Sequence, residues 1–229
     1  MKKISIIGLG YVGLPLLLQI AKKKKVVGFD INKKRINQLL KGIDDYNEHT
    51  YQDIKKVKKN LILTSDNNMI KNSDLFIITV PTPVDNKNKP DLKFIINATE
   101  KVASLIKKNS IVVYESTVFP GCTEEICVPI IEKISKLKFN KDFFCGYSPE
   151  RINVGDSKHK LQSITKIVSG SNSKTTKLLS NFFKTYVTKK IYSSESIKVA
   201  EAAKVIENTQ RDINIALINE FSLILNKLK

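Results

Sequence analysis

The chain has 229 residues, 41% hydrophobic and 27% charged, a balance that suits one large or two small soluble domains with room for a real core. No apolar run approaches the ~20 residues of a membrane span, and Met1-Lys2-Lys3 leads directly into a strand. Neither a membrane anchor nor a signal peptide is therefore expected, and the cytoplasm is the default location. The net charge of +17 is nearly all lysine, with Arg35, Arg151 and Arg211 the only arginines and aromatics at 7%. Nucleic-acid readout prefers the arginine fork and aromatic stacking platforms. Nucleic acid is thus not expected as a partner, while the positive field favours an anionic small ligand such as a nucleotide. Cys122, Cys127 and Cys145 form no CxxC pair and only two histidines accompany them. That spacing suggests no metal site and no disulfide framework, and each cysteine reads as a small apolar filler.

The first element is the apolar run Ile4-Ser5-Ile6-Ile7, followed by Gly8-Leu9-Gly10-Tyr11-Val12-Gly13 and a helix that continues Leu14-Pro15-Leu16. Strand, glycine turn, helix is the setting in which GxGxxG signals dinucleotide binding. Gly8 permits the tight turn, Gly10 the approach of a pyrophosphate, and Gly13 close packing of helix on strand. The free N–H groups at the helix start then face the phosphates. A second strand, Val26-Val27-Gly28-Phe29, ends on Asp30, about 20 residues past the turn, where a carboxylate accepts a ribose 2′-hydroxyl. An acid there repels a 2′-phosphate, which favours NAD over NADP.

A polar helix is expected over 32–41, with Arg35 one turn in. Residues 42–60 are charged and loop-like, with room for a short helix at 51–59, and 61–64 reads as a short strand. Leu75–Val80 is a continuous apolar run typical of a buried parallel strand, stopping at Pro81-Thr82-Pro83. A helix over 91–107 and a strand over 111–114 lead to the turn Glu115-Ser116-Thr117-Val118-Phe119-Pro120-Gly121. A helix over 123–136 and a strand over 143–147 follow, ending on Ser148-Pro149-Glu150-Arg151. The alternation predicts an α/β fold, a Rossmann-type doubly wound and mostly parallel sheet. Beyond it, 164–170 reads as strand and turn, 173–185 as a helix and 187–192 as a last strand.

In such sheets ligands bind outside the carboxyl ends of the strands. Four of those ends carry small or polar groups suited to chemistry: the glycine turn, Thr82, Ser116-Thr117 and Glu150-Arg151. Each has an ordinary alternative, since Ser and Thr cap helices and Glu-Arg makes surface pairs; their shared placement on one rim points to a site. Residues 197–229 contain neither Gly nor Pro and keep Ile197, Ala200, Ile206, Ile213, Leu217, Ile224 and Leu228 at helical spacing. This predicts a long helix, a connector or a dimer seam, and divides the chain into 1–195 and 196–229. Lys204, Asn208 and Arg211 fall on one face of it, which spacing alone leaves open between a functional stripe and a solvated one.

Together, the segments IGLGYVGLPL, VPTP, ESTVFPG, YSPERINVGD and EAAKVIENTQRDINIALINE resemble the UDP-glucose/GDP-mannose dehydrogenase family. The likeness is greatest to the branch that oxidises UDP-N-acetylhexosamines for capsule or O-antigen synthesis. It implies an NAD-dependent enzyme that oxidises a sugar C6 alcohol twice, to the acid. Val12, Asp30, Arg35, Thr82 and Thr117 match NAD-contacting positions, joining Gly8, Gly10, Tyr11 and Gly13, with Arg35 near the adenosine ribose. Glu150 matches the general base for hydrolysis of a thioester intermediate, and Lys204 and Asn208 the pair that stabilises the C6 oxyanion. Thr117 is counted with these catalytic groups, and Arg151 and Arg211 are placed against the substrate.

The chain departs from the branch at Val154, where Pro is usual, which loosens a loop but removes no reactive group. The family's cysteine nucleophile stands in a Gly-rich motif beyond the long helix, in a C-terminal nucleotide-binding domain. None of Cys122, Cys127 and Cys145 matches it. The expectation is therefore the NAD-binding half of a UDP-sugar dehydrogenase, a homodimer through 196–229, inactive by itself. The chain is then expected to be either a truncated product or one part of a split enzyme. The alternative is a non-catalytic NAD-binding or dimerisation module, or an inactive fragment.

Overall fold

The computed structural model describes residues 1–46, 48–150 and 165–228. The strands are β1 (Ile4–Ile7), β2 (Val26–Phe29), β3 (Leu61–Thr64), β4 (Leu75–Ile78), β5 (Ile111–Tyr114), β6 (Phe144–Tyr147), β7 (Lys166–Gly170) and β8 (Ile191–Ser193). Among the described residues they form one eight-stranded sheet in the order β3-β2-β1-β4-β5-β6-β7-β8. Neighbours from β3 to β6 are parallel, with Ile7 opposite Phe29 on one side and Ile78 on the other. The chain reverses its direction of winding between β1 and β4, which opens a crevice at the carboxyl ends of those two strands.

Helices cover both faces: α1 (Gly13–Ala21), α2 (Lys33–Leu40), α3 (Tyr51–Val57), α4 (Lys93–Ala103), α5 (Val128–Ser135), α6 (Ser173–Tyr186) and α7 (Ile197–Lys227). Successive strand residues point to opposite faces, so the sheet divides its apolar residues between two cores. Ile4, Ile6, Leu75, Ile77, Ile111 and Val113 pack with Leu14, Leu17, Ile36, Leu39, Leu179 and Phe183 from α1, α2 and α6. Phe76, Ile78, Val112, Tyr114 and Tyr147 pack with Ile95, Val102, Ile131, Ile197 and Ala200 from α4, α5 and α7. Each fully buried aliphatic or aromatic side chain contributes about 1.5–3 kcal/mol.

Three details differ from the sequence reading. The run read as a strand to Val80 leaves the sheet at Ile78, where the Thr79 hydroxyl turns in to the Gly8 carbonyl at 2.7 Å. The helix expected from 123 begins as a π-helical turn, Cys122–Cys127. Pro129 in the first turn of α5 has no N–H to return to Glu125, and the Val128 N–H bonds five residues back to the Thr123 carbonyl. Finally, β7 runs antiparallel to β6, while β8 is parallel to β7.

Ser196 caps α7 by accepting the Val199 N–H at 3.2 Å. With 31 residues the helix is about 46 Å long at ~1.5 Å per residue. Ile197, Ala200, Glu201 and Lys204 are buried, whereas Ile213, Leu217, Phe221, Ile224 and Leu228 are exposed. No helix among the described residues is long and apolar enough to cross a membrane.

Candidate functional site

The glycine turn lies in the crevice between β1 and β4. Gly8 has φ +94°, the left-handed region, and its N–H donates to the Phe29 carbonyl at 2.9 Å. A Cβ on Gly13 would run into the Gly8 carbonyl oxygen and the Thr79 hydroxyl. Over Gly10 the space is open: a Cβ there would meet only the Tyr46 hydroxyl, at 3.8 Å. α1 starts with Val12 at its N-cap and no side-chain cap; the Leu14 N–H is taken by the Gly10 carbonyl and Pro15 has none, so it is the backbone N–H groups up to Gly13 that suit an anion. Open backbone over Gly10 and an uncapped helix start fit a pyrophosphate.

Asp30 follows β2 directly. Its Oδ2 accepts the Leu9 N–H and its Oδ1 the Asn32 N–H, both at 2.8 Å, so the carboxylate is fixed beside the turn. NAD should therefore bind more tightly than NADP, and Asp30→Ala should weaken NAD roughly tenfold or more, as expected for loss of a charged hydrogen bond of about 1.5–3 kcal/mol. Calorimetric titration with both cofactors measures this, and equal affinities in the wild type would count against it.

Arg35, which the resemblance places near the adenosine ribose, is held firmly by the protein. Its side chain is buried; Nε donates to the Leu9 carbonyl at 2.9 Å and Nη2 pairs with Asp44 Oδ1 at 2.7 Å. The guanidinium lies over the Tyr46 ring at 5.1 Å, and Tyr46 meets Tyr11 edge-on at 6.3 Å. Asp44 also collects the N–H groups of Tyr46, Glu48 and His49. Arg35 thus braces the glycine turn against the 44–50 loop, and only its Nη1 lacks a hydrogen-bond partner.

Further along the rim, the loops after β4, β5 and β6 are stitched together. The Thr82 hydroxyl donates to the Thr117 carbonyl at 2.7 Å, the Ser116 hydroxyl to the Val80 carbonyl at 2.6 Å, and the Tyr147 hydroxyl to the Ser116 carbonyl at 3.1 Å. Thr117 itself stays exposed at this junction. Glu150 lies past the end of β6 and meets Lys166 at 3.8 Å; Lys166 in turn pairs with Glu115 at 3.2 Å. Sequence reasoning missed both of these partners. The available signal was a lone charge set into an apolar strand segment, Lys166 in TKIVSG and Glu115 directly after IVVY.

On α7 the stripe of Lys204, Asn208 and Arg211 is joined through a residue not anticipated, Glu207. It lies 4.0 Å from Lys204 and 3.1 Å from Arg211, whose Nη1 also reaches Asn208 Oδ1 at 3.5 Å. One turn earlier, the buried Glu201 accepts the N–H groups of Gly121 and Thr123. This fastens the start of α7 to the far end of the Thr117 loop. Arg151 lies outside the described residues. All three cysteines are buried in the core, and burial pushes the Cys145 thiol well above its ordinary range. Among the described residues no cluster of His, Cys, Asp and Glu could hold a metal.

A glycine turn with an acid at the next strand end, set at the winding reversal of a parallel sheet, defines a dinucleotide-binding α/β domain. Residues 2–194 match the UDP-glucose/GDP-mannose dehydrogenase family, NAD binding domain. The chain belongs to that family, and the cofactor of this domain is NAD. It is 53% identical over 226 residues to UDP-N-acetyl-D-glucosamine 6-dehydrogenase of Salmonella typhi, covering 99% of this chain and 53% of the relative. It is 51% identical over 227 residues to Protein CapL of Staphylococcus aureus, with the same shares covered. The solved structure of UDP-D-ManNAc dehydrogenase from Pyrococcus horikoshii superposes with a TM-score of 0.90 at 32% identity, over 97% of this chain and 53% of that one. The chain spans about half the length of the curated relatives it matches.

Proposed function

We propose that this protein is the NAD-binding half of a UDP-N-acetylhexosamine 6-dehydrogenase that oxidises the C6 alcohol to the acid for a surface polysaccharide. The observation that carries the reading is the gathering of the glycine turn, the Thr82–Thr117 junction and Glu150 along one rim of the sheet, with the Lys204 stripe on a helix fastened to the Thr117 loop. The relatives' names supply the substrate class: they are UDP-N-acetyl-D-glucosamine and UDP-N-acetyl-D-mannosamine dehydrogenases. The Gly8–Gly13 backbone and the start of α1 hold the pyrophosphate, and Asp30 accepts from the adenosine ribose. Thr82 and Thr117 border the nicotinamide end, where NAD, when bound, supplies the hydride acceptor.

Lys204 and Asn208 donate to the C6 oxygen as negative charge grows on it. Glu150 takes a proton from the attacking water in the hydrolytic step, and Arg211 and Arg151 hold the substrate's anionic part. The thiol that the second oxidation requires comes from the remaining half of the enzyme. The protein works in the cytoplasm. An NAD-binding or dimerisation module without turnover is the competing reading, and the burial of all three thiols is what favours it. The test is NADH absorbance with UDP-N-acetylglucosamine in the enzyme completed by its remaining half; absence of turnover with any UDP-N-acetylhexosamine would defeat the proposal.

The division at residue 196 and a homodimer belong to the same reading. Ile213, Leu217, Phe221, Ile224 and Leu228 are between 49% and 77% exposed, more contiguous apolar surface than a monomer ordinarily leaves in water, and a second copy of α7 matches it. Light scattering should give twice the mass of 25.9 kDa, and a clean monomer at high concentration would count against the seam.

A further inference from the structure

Two charged side chains buried behind Glu150 have no role in the reading above. Lys166 opens β7, which runs antiparallel to β6 with Tyr147 opposite Ser169. The Ser148 hydroxyl, donating to the Ile167 carbonyl at 2.7 Å, carries the pairing past the end of β6. Continued further, that register sets Lys166 beside Glu150, on the rim where the parallel strands end. A parallel strand would have delivered its first residue to the opposite edge of the sheet. The ammonium lies 3.2 Å from Glu115 Oε1, 3.8 Å from Glu150 Oε2 and 5.1 Å over the ring of Phe183. The three side chains are 6%, 0% and 13% exposed, in the order Lys166, Glu115, Glu150.

A carboxylate removed from water is driven toward its neutral form, and a neighbouring ammonium opposes that. Burial is the main cause that pushes Glu115 up to about 7; Glu150 pushes the same way and Lys166 pulls it down. For Lys166, burial works against the charge, but Glu115 and Glu150 together hold it above the ordinary lysine range. Neighbouring titratable groups stand on other elements, and Tyr147 also feels the charge of Glu115. Tyr147 of β6 bonds the Ser116 carbonyl. On α7, Glu201 serves Gly121 and Thr123, and Lys204 faces Glu207.

We propose that Lys166 and Glu115 are positioning residues for Glu150, an inference that rests on the role given to Glu150 above. The ammonium anchors the Glu150 carboxylate at the rim, and Glu115 competes for the same ammonium. Their effects on Glu150 are opposite in sign: Lys166 favours the carboxylate, and a charged Glu115 favours the acid.

The test needs no turnover. Glutamate side-chain carboxyls are labelled with carbon-13 and titrated by NMR in this chain, and Glu150→Gln identifies the Glu150 signal by its loss. In Lys166→Met the Glu150 midpoint should rise by about one pH unit or more, in line with the ~1–3 units that a neighbouring opposite charge supplies. In Glu115→Gln it should fall, and in Lys166→Arg it should stay near the wild-type value. A midpoint unmoved in both Lys166→Met and Glu115→Gln overturns the proposal. If Lys166→Met does not fold, the isosteric Glu115→Gln decides alone, and a Glu150 midpoint that fails to fall overturns it. In the completed enzyme the acid limb of kcat should move in the same directions. Turnover whose acid limb ignores both substitutions would defeat this inference and leave the proposed function intact. A complete enzyme that turns over no UDP-N-acetylhexosamine would instead defeat the catalytic role of Glu150, and the titrations would still report on the three charges.

Discussion

Gly13→Ala is expected to remove measurable NAD binding and to destabilise the fold by about 1–3 kcal/mol or more. The added methyl meets the Gly8 carbonyl and the Thr79 hydroxyl, and neither can retreat cheaply. Gly8 is tied to Phe29 through its N–H, and Thr79 is bonded to the carbonyls of Ile7 and Gly8. Relief requires α1 to slide away from β1, which opens the Leu14 and Leu17 contacts of the core on that face and displaces the N–H groups that face the pyrophosphate. Gly10→Ala provides the contrast. Its methyl enters open space near Tyr46, so the fold should survive at wild-type stability while NAD affinity falls, because the methyl occupies ligand volume. Urea denaturation and calorimetry on both variants separate the two effects. A Gly13→Ala protein with wild-type midpoint and wild-type NAD affinity would show that the turn is not the packed unit described.

The glycine turn was legible in the sequence because its chemistry is local. Six consecutive residues carry the backbone requirements, and Asp30 follows at a fixed distance set by one helix and one strand. The Thr82–Thr117 junction was legible for a different reason, since the rule about strand ends places both residues on one rim before any contact is known. Arg35 shows where spacing stops informing. Its position one turn into α2 suits a ribose contact, and nothing in the pattern of the charged loop that follows reveals that Asp44, nine residues on, folds back to pair with the guanidinium. Lys166 shows the same limit more sharply. Hydropathy marks β7 as a strand but does not give its direction, and direction alone decides whether Lys166 arrives at the site or at the opposite edge. Glu207 stands at i, i+3 and i, i+4 spacing to Lys204 and Arg211, a readable signal that an ordinary solvated helix pair shares. The π-helical turn before α5 had a readable cause in Pro129, but an irregular turn and an ordinary helix start share that signal.

In the completed enzyme, Lys204→Ala is expected to lower kcat by roughly 10²–10³ while changing KM far less, as for loss of a donor aimed at developing oxyanion charge. Lys204 is 8% exposed, and its ammonium stands 4.0 Å from Glu207. A buried cation acts strongly on a nearby ligand, because little water screens it. Removing it leaves Glu207 paired with Arg211 at 3.1 Å, so the helix should remain intact and the loss should fall on the chemistry. Asn208→Ala, which removes a neutral donor, should cost less. Glu150→Gln should behave differently from both, slowing release of the acid and letting a covalent adduct build up on the thiol of the remaining half, visible by mass spectrometry of the protein. This chain alone should produce no UDP-uronic acid, since its three thiols are sealed in the core. The assay is NADH absorbance with UDP-N-acetylglucosamine as first substrate. A Lys204→Ala enzyme with unchanged kcat would remove α7 from the chemistry, and sustained acid production by this chain alone would mean that one of Cys122, Cys127 or Cys145 becomes exposed in turnover.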